Sequence, residues 1–319
     1  MPAPTLSVVV PDLDSPLVDR TLAALAEQGA PGDGVEVLVV GRDGPGRVPR
    51  DGAVRLLETA ERLSPAAARN RGVAAARGAK ILFTDADCRP LPGWLAALAA
   101  AIDRAPVAGG AVVFPLAGRG GSRWALADNI ASFHDLLPDR PAEADTRRPL
   151  GSLNLAVRRE AWSWVGPFDE ALPTSEDHDW VLRARAAGLA TAFVPEARVE
   201  HAAVRASRAD LEAHAAWYGE HFHRFRALHP EAFATGPTWK NRRRLAAAAP
   251  WKALAASARL FLAHPMLWPS LAAFPAVVAS RRAWYRAVLA GWPEGKAAPC
   301  PDENASGSAG GRAGSGGSG

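Results

Sequence analysis

Cysteine is scarce in this chain, with Cys88 and Cys300 the only two among 319 residues. Two thiols cannot build a disulfide framework or supply a zinc site by themselves, and such sparse use suits a reducing compartment. An excess of one charge is also lacking: 37 Lys and Arg stand against 33 Asp and Glu, a formal net charge of +4. So small an excess on so long a chain argues against a nucleic-acid partner. The opening Met1-Pro2-Ala3-Pro4-Thr5 has neither the basic start nor the long apolar core of a secretory signal, and Pro11-Asp12 cuts the first apolar run short. A cytoplasmic location is therefore expected. Apolar material is plentiful: 48% of residues are hydrophobic and 22% charged, enough for one large α/β domain or two small ones with real cores.

Leu6 to Val10 and Val35 to Val40 are β-branched runs ended by Pro11 and by Gly41-Arg42-Asp43-Gly44, and both read as buried parallel strands. Between them Val18, Leu22 and Leu25 recur at helical spacing before Gly29 and Pro31. Ser64 caps a helix starting at Pro65, and Ile81-Leu82-Phe83-Thr84 forms a third strand running into Asp85-Ala86-Asp87. This alternation predicts a doubly wound, mainly parallel α/β sheet with helices on both faces and ligands at the carboxyl ends of its strands. Three segments follow: a catalytic domain over 1–205, a helical extension over 206–293, and a Gly/Ser-rich tail over 294–319 too polar to order itself.

Asp85 and Asp87, two apart at a strand end, project together into the expected ligand region. They repel unless a cation joins them, and hard carboxylate oxygens suit Mg²⁺ or Mn²⁺ with nucleotide phosphates; alone, the pair is equally an acidic loop. Arg69 starts the helix leading into that strand and offers a planar fork to a phosphate or a base edge. Glu176, Asp177 and Asp179 crowd a helix start, where the dipole favours acids and simple capping is the ordinary explanation.

The series Ser7-Val-Val-Val-Pro11, Ala68-Arg69-Asn70-x-Gly72, Phe83-x-Asp85-x-Asp87, Leu153-Asn154, Gly166-Pro-Phe168-Asp169-Glu170 and Glu176-Asp177-x-Asp179-x-x-x-Arg183 resembles family-2 glycosyltransferases over residues 5 to 205. The resemblance implies a GT-A fold and an inverting, metal-dependent transfer from a nucleotide-sugar donor to a glycan or lipid-linked acceptor, with Mg²⁺ or Mn²⁺ as cofactor. It implies that Pro11 and Asp12 line the nucleoside pocket, that Arg69 and Asp85 contact the donor, and that Asp87 and His201 lie at the metal. Asp177 is the implied base, with Asn154, Glu176, Asp179 and Trp180 on the acceptor side or orienting it. One base suffices for inversion, and a metal replaces the protonated acid that assists the leaving group in hydrolases. Gly41-Arg42-Asp43 departs from the family's paired acids: Asp43 takes over the donor contact or Arg42 adds one to phosphate. Gln28 is the only glutamine, so the Gln-x-x-Arg-Trp signature of processive synthases is absent and a non-processive enzyme is expected.

In the extension, Leu260 to Ala279 carries no Asp, Glu, Lys or Arg, but Pro265, Pro269 and Pro275 break it as a spanning helix. Flanking Arg and Trp residues fit an interfacial segment on the inner face of the plasma membrane, and a helical subdomain packed on the catalytic domain fits equally. Two other classes remain: a nucleotidyltransferase-like enzyme, which should carry a Gly-rich loop where Pro11-Asp12-Leu13-Asp14 stands, and a non-catalytic binding module using Arg242-Arg243-Arg244.

Overall fold

The computed structural model describes residues 4–32, 34–116, 122–139, 149–202, 204–232 and 237–293. The tail expected over 294–319 lies outside the described residues. In chain order the elements are β1 (Leu6–Leu13), α1 (Val18–Ala26), β2 (Val35–Arg42), β3 (Arg55–Glu58), α2 (Pro65–Ala75), β4 (Lys80–Thr84), β5 (Cys88–Pro90), α3 (Trp94–Ala101), β6 (Val107–Val113), α4 (Arg123–Phe133), β7 (Asn154–Arg158), α5 (Arg159–Val165), α6 (Glu176–Ala186), β8 (Thr191–His201), α7 (Arg208–Leu228), α8 (Arg242–Ala263) and α9 (Phe274–Ala290). The eight strands form one sheet in the order β3-β2-β1-β4-β7-β6-β8-β5.

β1 and β2 sit inside the sheet because Val8 to Val10 and Val37 to Val40 have no exposed surface and can be satisfied only by cover on both faces. β1 pairs in parallel with β2 on one side and β4 on the other, so chain order reverses at β1 and a crevice opens at the carboxyl ends there. Six of the eight strands run in one direction, as expected for a mainly parallel sheet, and two are reversed. β7 runs antiparallel between β4 and β6, and β5 pairs antiparallel with β8, which makes the sheet mixed. β8 runs from Thr191 to His201, past a register shift in its pairing with β6.

α2 starts as its sequence dictates, with Ser64 Oγ accepting from the Ala67 amide at 3.2 Å and Pro65 in the first turn. It lies directly on the sheet because Gly72 has no side chain: a Cβ there would run into Val9 and crowd Val40. Under α6, Phe83, Trp162, Phe168 and Trp180 form an aromatic cluster, with Trp162 stacked on Trp180 at 5.4 Å. Asn70 ties the loop before α6 to α2, donating to the Phe168 carbonyl and accepting from its amide, both at 3.0 Å.

The C-terminal helices pack on the sheet domain: α9 lies along α7 and against α4 and α8. Gly219 permits the close approach of α7 and α9, since a Cβ would strike the Trp284 carbonyl. The apolar stretch around Leu260 to Ala279 is divided between the end of α8, tight turns over Pro265–Ala273, and the start of α9. Among the described residues no helix is long and apolar enough to cross a membrane.

Candidate active site

At the carboxyl ends of β4 and β8 lies a cleft of about 520 Å³ lined by Arg69, Asp85, Asp87, Glu176, Asp177 and His201 among others. Arg69 is its organising cation. The α2 backbone fixes it, only 3% of it is exposed, and its fork bridges two elements: Nη2 donates to Asp85 Oδ1 at 2.6 Å and Nη1 to Glu176 Oε1 at 2.8 Å. Burial works against its charge, but Asp85, Glu176 and Asp177 outweigh burial and hold the guanidinium protonated. Its buried Nε meets no partner among the described residues.

Glu176 and Asp177 open α6 after Ser175, whose φ of +65° is unusual for a residue with a side chain. Their neighbours push the two acids apart. Burial, with the adjacent Asp177, pushes the Glu176 carboxyl up to about 7 against the pull of Arg69. Burial also disfavours ionised Asp177, but His178, the Ser152 amide and Arg69 more than offset it and hold that carboxyl below its ordinary value. The geometry agrees: Asp177 Oδ2 accepts from the Ser152 amide at 2.8 Å and hydroxyl at 3.0 Å, while Oδ1 accepts from the His178 amide at 2.8 Å.

The β5–β8 ladder sets His201 opposite Cys88 and so beside Asp87. His201 Nε2 lies 3.6 Å from Asp87 Oδ2. Its Nδ1 is 2.8 Å from Asn129 Oδ1 on α4, and donation to that oxygen leaves the Nε2 lone pair facing the carboxylate. Burial raises the Asp87 pKa, partly countered by His201 and reinforced by Asp85. An imidazole oriented by the Asn129 side-chain amide, facing a carboxylate that charges reluctantly, is a donor pair that fits a divalent cation. Among the described residues no group of three or more His, Cys, Asp or Glu side chains is arranged to hold a metal ion.

The other expected residues divide. Asp12 at the end of β1 is 5% exposed; its Oδ1 accepts from the Ser15 amide at 2.9 Å, its Oδ2 is buried without a partner, and burial pushes its carboxyl up to about 6. Ser15 links that strand end to the Asp85–Asp87 turn by donating to the Ala86 carbonyl at 3.1 Å. Pro11, Asp12 and Asp43 do not line the large cleft. Both Asp43 oxygens accept backbone amides, of Arg47 at 2.8 Å and Val48 at 2.9 Å, so this acid closes its own loop. Arg42 is paired with Asp14.

Three residues expected on the acceptor side or orienting it do not line the cleft. Asn154 is fully buried and joins the sheet to α3, accepting from Trp94 Nε1 at 2.8 Å and donating to the Ala111 and Ala197 carbonyls. Trp180 is fully buried and donates to the Gly166 carbonyl. Asp179 turns away to Arg183 and His229, both at 2.8 Å. Their polar groups hold α6 and the sheet in place. Sequence reasoning missed Ser152 and Asn129, which orient Asp177 and His201. It also missed the wall that α7 and α9 supply, with Trp217, Tyr218, Arg281, Trp284 and Tyr285 facing the same cleft.

The model of the family "Glycosyl transferase family 2" matches residues 7–155. A curated relative, the glycosyltransferase AglE of Haloferax volcanii, is 30% identical over 202 residues, which are 60% of this chain and 64% of the relative; the chain thus matches less than two thirds of that protein. Among solved structures, a mannosyltransferase, PcManGT from Pyrobaculum calidifontis, in complex with GDP-Man and Mn²⁺, superposes with a TM-score of 0.53 at 22% identity, covering 87% of this chain and 86% of its own. Residues 7–155 are therefore similar to glycosyl transferase family 2, and the chain shares a GT-A type fold with a solved glycosyltransferase.

Proposed function

We propose that the protein is an inverting, metal-dependent and non-processive glycosyltransferase that moves a sugar from a nucleotide-sugar donor to an acceptor hydroxyl. The observation carrying this reading is the Arg69 bridge, which gathers Asp85 from β4 and Glu176 from α6 into one cleft with Asp87, Asp177 and His201. The family match over the same strands supports it, as does the Mn²⁺ and GDP-Man complex of the Pyrobaculum protein.

Arg69 and Asp85 form the donor side, where the guanidinium meets phosphate or base and the carboxylate meets ribose hydroxyls. The family resemblance assigns Pro11 and Asp12, at the carboxyl end of β1, to the nucleoside end of the donor. Asp87 and His201 would hold Mg²⁺ or Mn²⁺, which when bound supplies Lewis-acid stabilisation to the departing nucleoside diphosphate. Asp177 takes the proton from the acceptor hydroxyl as that oxygen attacks the anomeric carbon from the face opposite the leaving group. Ser152 and the His178 amide aim its carboxylate, and its depressed pKa keeps it ionised. Asn154, Asp179 and Trp180 act as supports.

One second reading has its own observation: Glu176, with a carboxyl near 7, is better matched to neutral proton transfer than Asp177, although Arg69 occupies one of its oxygens. The acid limb of the pH-rate profile separates them, since a Glu176 base loses activity below about pH 7 and an Asp177 base does not. A location at the inner face of a membrane, with a lipid-linked cell-envelope glycan precursor as acceptor, is supported by Trp251, Leu262, Trp268 and Leu271, all more than half exposed. The test of the activity is a panel of nucleotide sugars with Mn²⁺ or Mg²⁺, reading release of nucleoside diphosphate. Absence of both binding and turnover across GDP-, UDP- and dTDP-sugars refutes the reading.

A further inference from the structure

The cleft has two chemically different walls. The sheet-side wall carries the acids and Arg69, whereas the wall from α7 and α9 carries Trp217, Tyr218, Trp284, Tyr285 and Arg281. Arg281, Trp284 and Tyr285 lie three and four residues apart on α9 and share one face. The rings gather in pairs: Trp217 and Tyr218 have centroids 5.1 Å apart, and Trp284 and Tyr285 5.0 Å apart. The Tyr218 hydroxyl lies beside Thr174 and in the field of Asp177, so this wall reaches the base assigned above.

Arg281 is the unexplained member. Its Nε is buried, and among the described residues it meets no hydrogen-bond partner and the guanidinium no ion-pairing carboxylate; burial and Arg259 oppose its charge, and the fields of Tyr285 and Asp135 favour it. A buried guanidinium nitrogen left unmatched beside a cleft costs stability unless a ligand completes it. Arg69 on the far wall is already taken by two carboxylates, so an anion entering along α9 meets Arg281 first.

We propose that the α7–α9 wall is the acceptor subsite and that it takes a sugar bearing a phosphate group, with Arg281 meeting the phosphate and the paired rings lying along the sugar. The proposal rests on the glycosyltransferase reading and adds the acceptor's chemical class to it. A planar fork suits phosphate oxygens, and flat aromatic faces suit the C–H faces of a pyranose. The phosphate can be a lipid headgroup or part of a soluble glycan; the residues recognise the shared chemistry.

The experiment titrates the whole protein with glucose 1-phosphate, methyl α-glucoside and farnesyl phosphate by tryptophan fluorescence, and separately with GDP and UDP in Mn²⁺. Glucose 1-phosphate is expected to bind about tenfold or more tighter than methyl α-glucoside, the scale of a charged hydrogen bond, and to stay bound when GDP or UDP is saturating. Arg281→Gln should erase the gap between the two sugars, and Arg281→Lys should keep part of it. Farnesyl phosphate binding tighter than glucose 1-phosphate supports the subsite with a lipid phosphate; the reverse supports it with a soluble one. Equal affinity of wild type for the two sugars overturns the proposal, and so does displacement of glucose 1-phosphate by nucleoside diphosphate. Both decisions use wild type alone and do not depend on how the variants fold. Failure of GDP and UDP to bind, with sugar-phosphate binding intact, counts instead against the donor site.

Discussion

Asp177→Asn is usually chosen as a shape-preserving removal of a base, but here the surroundings make it less neutral. Both Asp177 oxygens accept from backbone amides: Oδ2 from Ser152, whose hydroxyl also donates to it, and Oδ1 from His178. An asparagine has one acceptor oxygen, so whichever way its amide is turned, the NH₂ faces an N–H that it cannot satisfy. The Ser152 hydroxyl can rotate to accept, but neither amide can. Losing one buried hydrogen bond of this kind costs about 1–3 kcal/mol, which for a domain of this size lowers Tm by roughly 2–10 °C. The loss of the proton acceptor lowers turnover by a further factor of about 10² to 10⁴. The assay is differential scanning fluorimetry beside steady-state nucleoside diphosphate release at 25 °C, where the variant remains folded. Donor KM should change little, because Arg69 and Asp85 still pair. An unchanged Tm refutes the account of the carboxylate's cradle. A near-wild-type rate moves the base to Glu176.

Asp87→Ala should abolish the rise in Tm that Mn²⁺ gives to wild type, whereas Cys88→Ala, which removes only a weak thiol contact to Asp87 Oδ1 at 3.8 Å, should retain it; a retained shift in Asp87→Ala refutes the metal assignment. Asp12 has its carboxyl raised by burial, so its stabilising contribution is complete below about pH 4 and lost as pH rises through about 6. Asp12→Asn should therefore flatten the fall in Tm between those values, and an unaltered profile counts against it. Glu36 is opposite in sign: burial opposes its ionisation, but the Arg77 amide, the Ser7 hydroxyl and Arg55 hold its carboxyl down at about 2. Its contribution is present above about pH 4.5 and lost towards pH 2, so Glu36→Gln should weaken the protein at neutral pH and leave it less sensitive to acid. Full-length protein should sediment with anionic vesicles and Trp268→Glu should not; absence of wild-type binding removes the membrane surface from the account.

The left half of the sheet was legible because β1, β2 and β4 are continuous β-branched or aromatic runs, a pattern that only burial on both faces explains. β6 was not, since Val107–Val113 contains Gly109 and Gly110, which weaken a strand signal; a Cβ at those positions would strike Leu150 or Asn154. β7 was hidden inside a motif, and with it went the antiparallel turn of the sheet. Position beside a strand end or a helix start found Arg69, Asp85, Asp87, Glu176, Asp177 and His201, and the cleft does collect them. The same motif logic left open whether Asn154 and Trp180 face the acceptor or orient its surroundings, because a motif records what must stay fixed, whether it touches substrate or holds the frame. The α7–α9 wall had no local signal: helical periodicity shows which side chains share a face, and only tertiary packing shows what that face meets.

That packing bears on how the molecule comes into being. α4, at 123–133, is covered by α9, at 274–290, so one wall of the cleft waits for contacts some 150 residues apart in sequence. Long-range closures of this kind are slow, and chains emerging from the ribosome fold from the amino end first. A nascent chain extending only to β8 has Arg69, Asp85, Asp87 and Asp177 but lacks both C-terminal helices of the facing wall. The cleft is therefore complete only once α9 has docked, and a chain cut before it presents bare α4 and an open acidic trough to the cell's proteases.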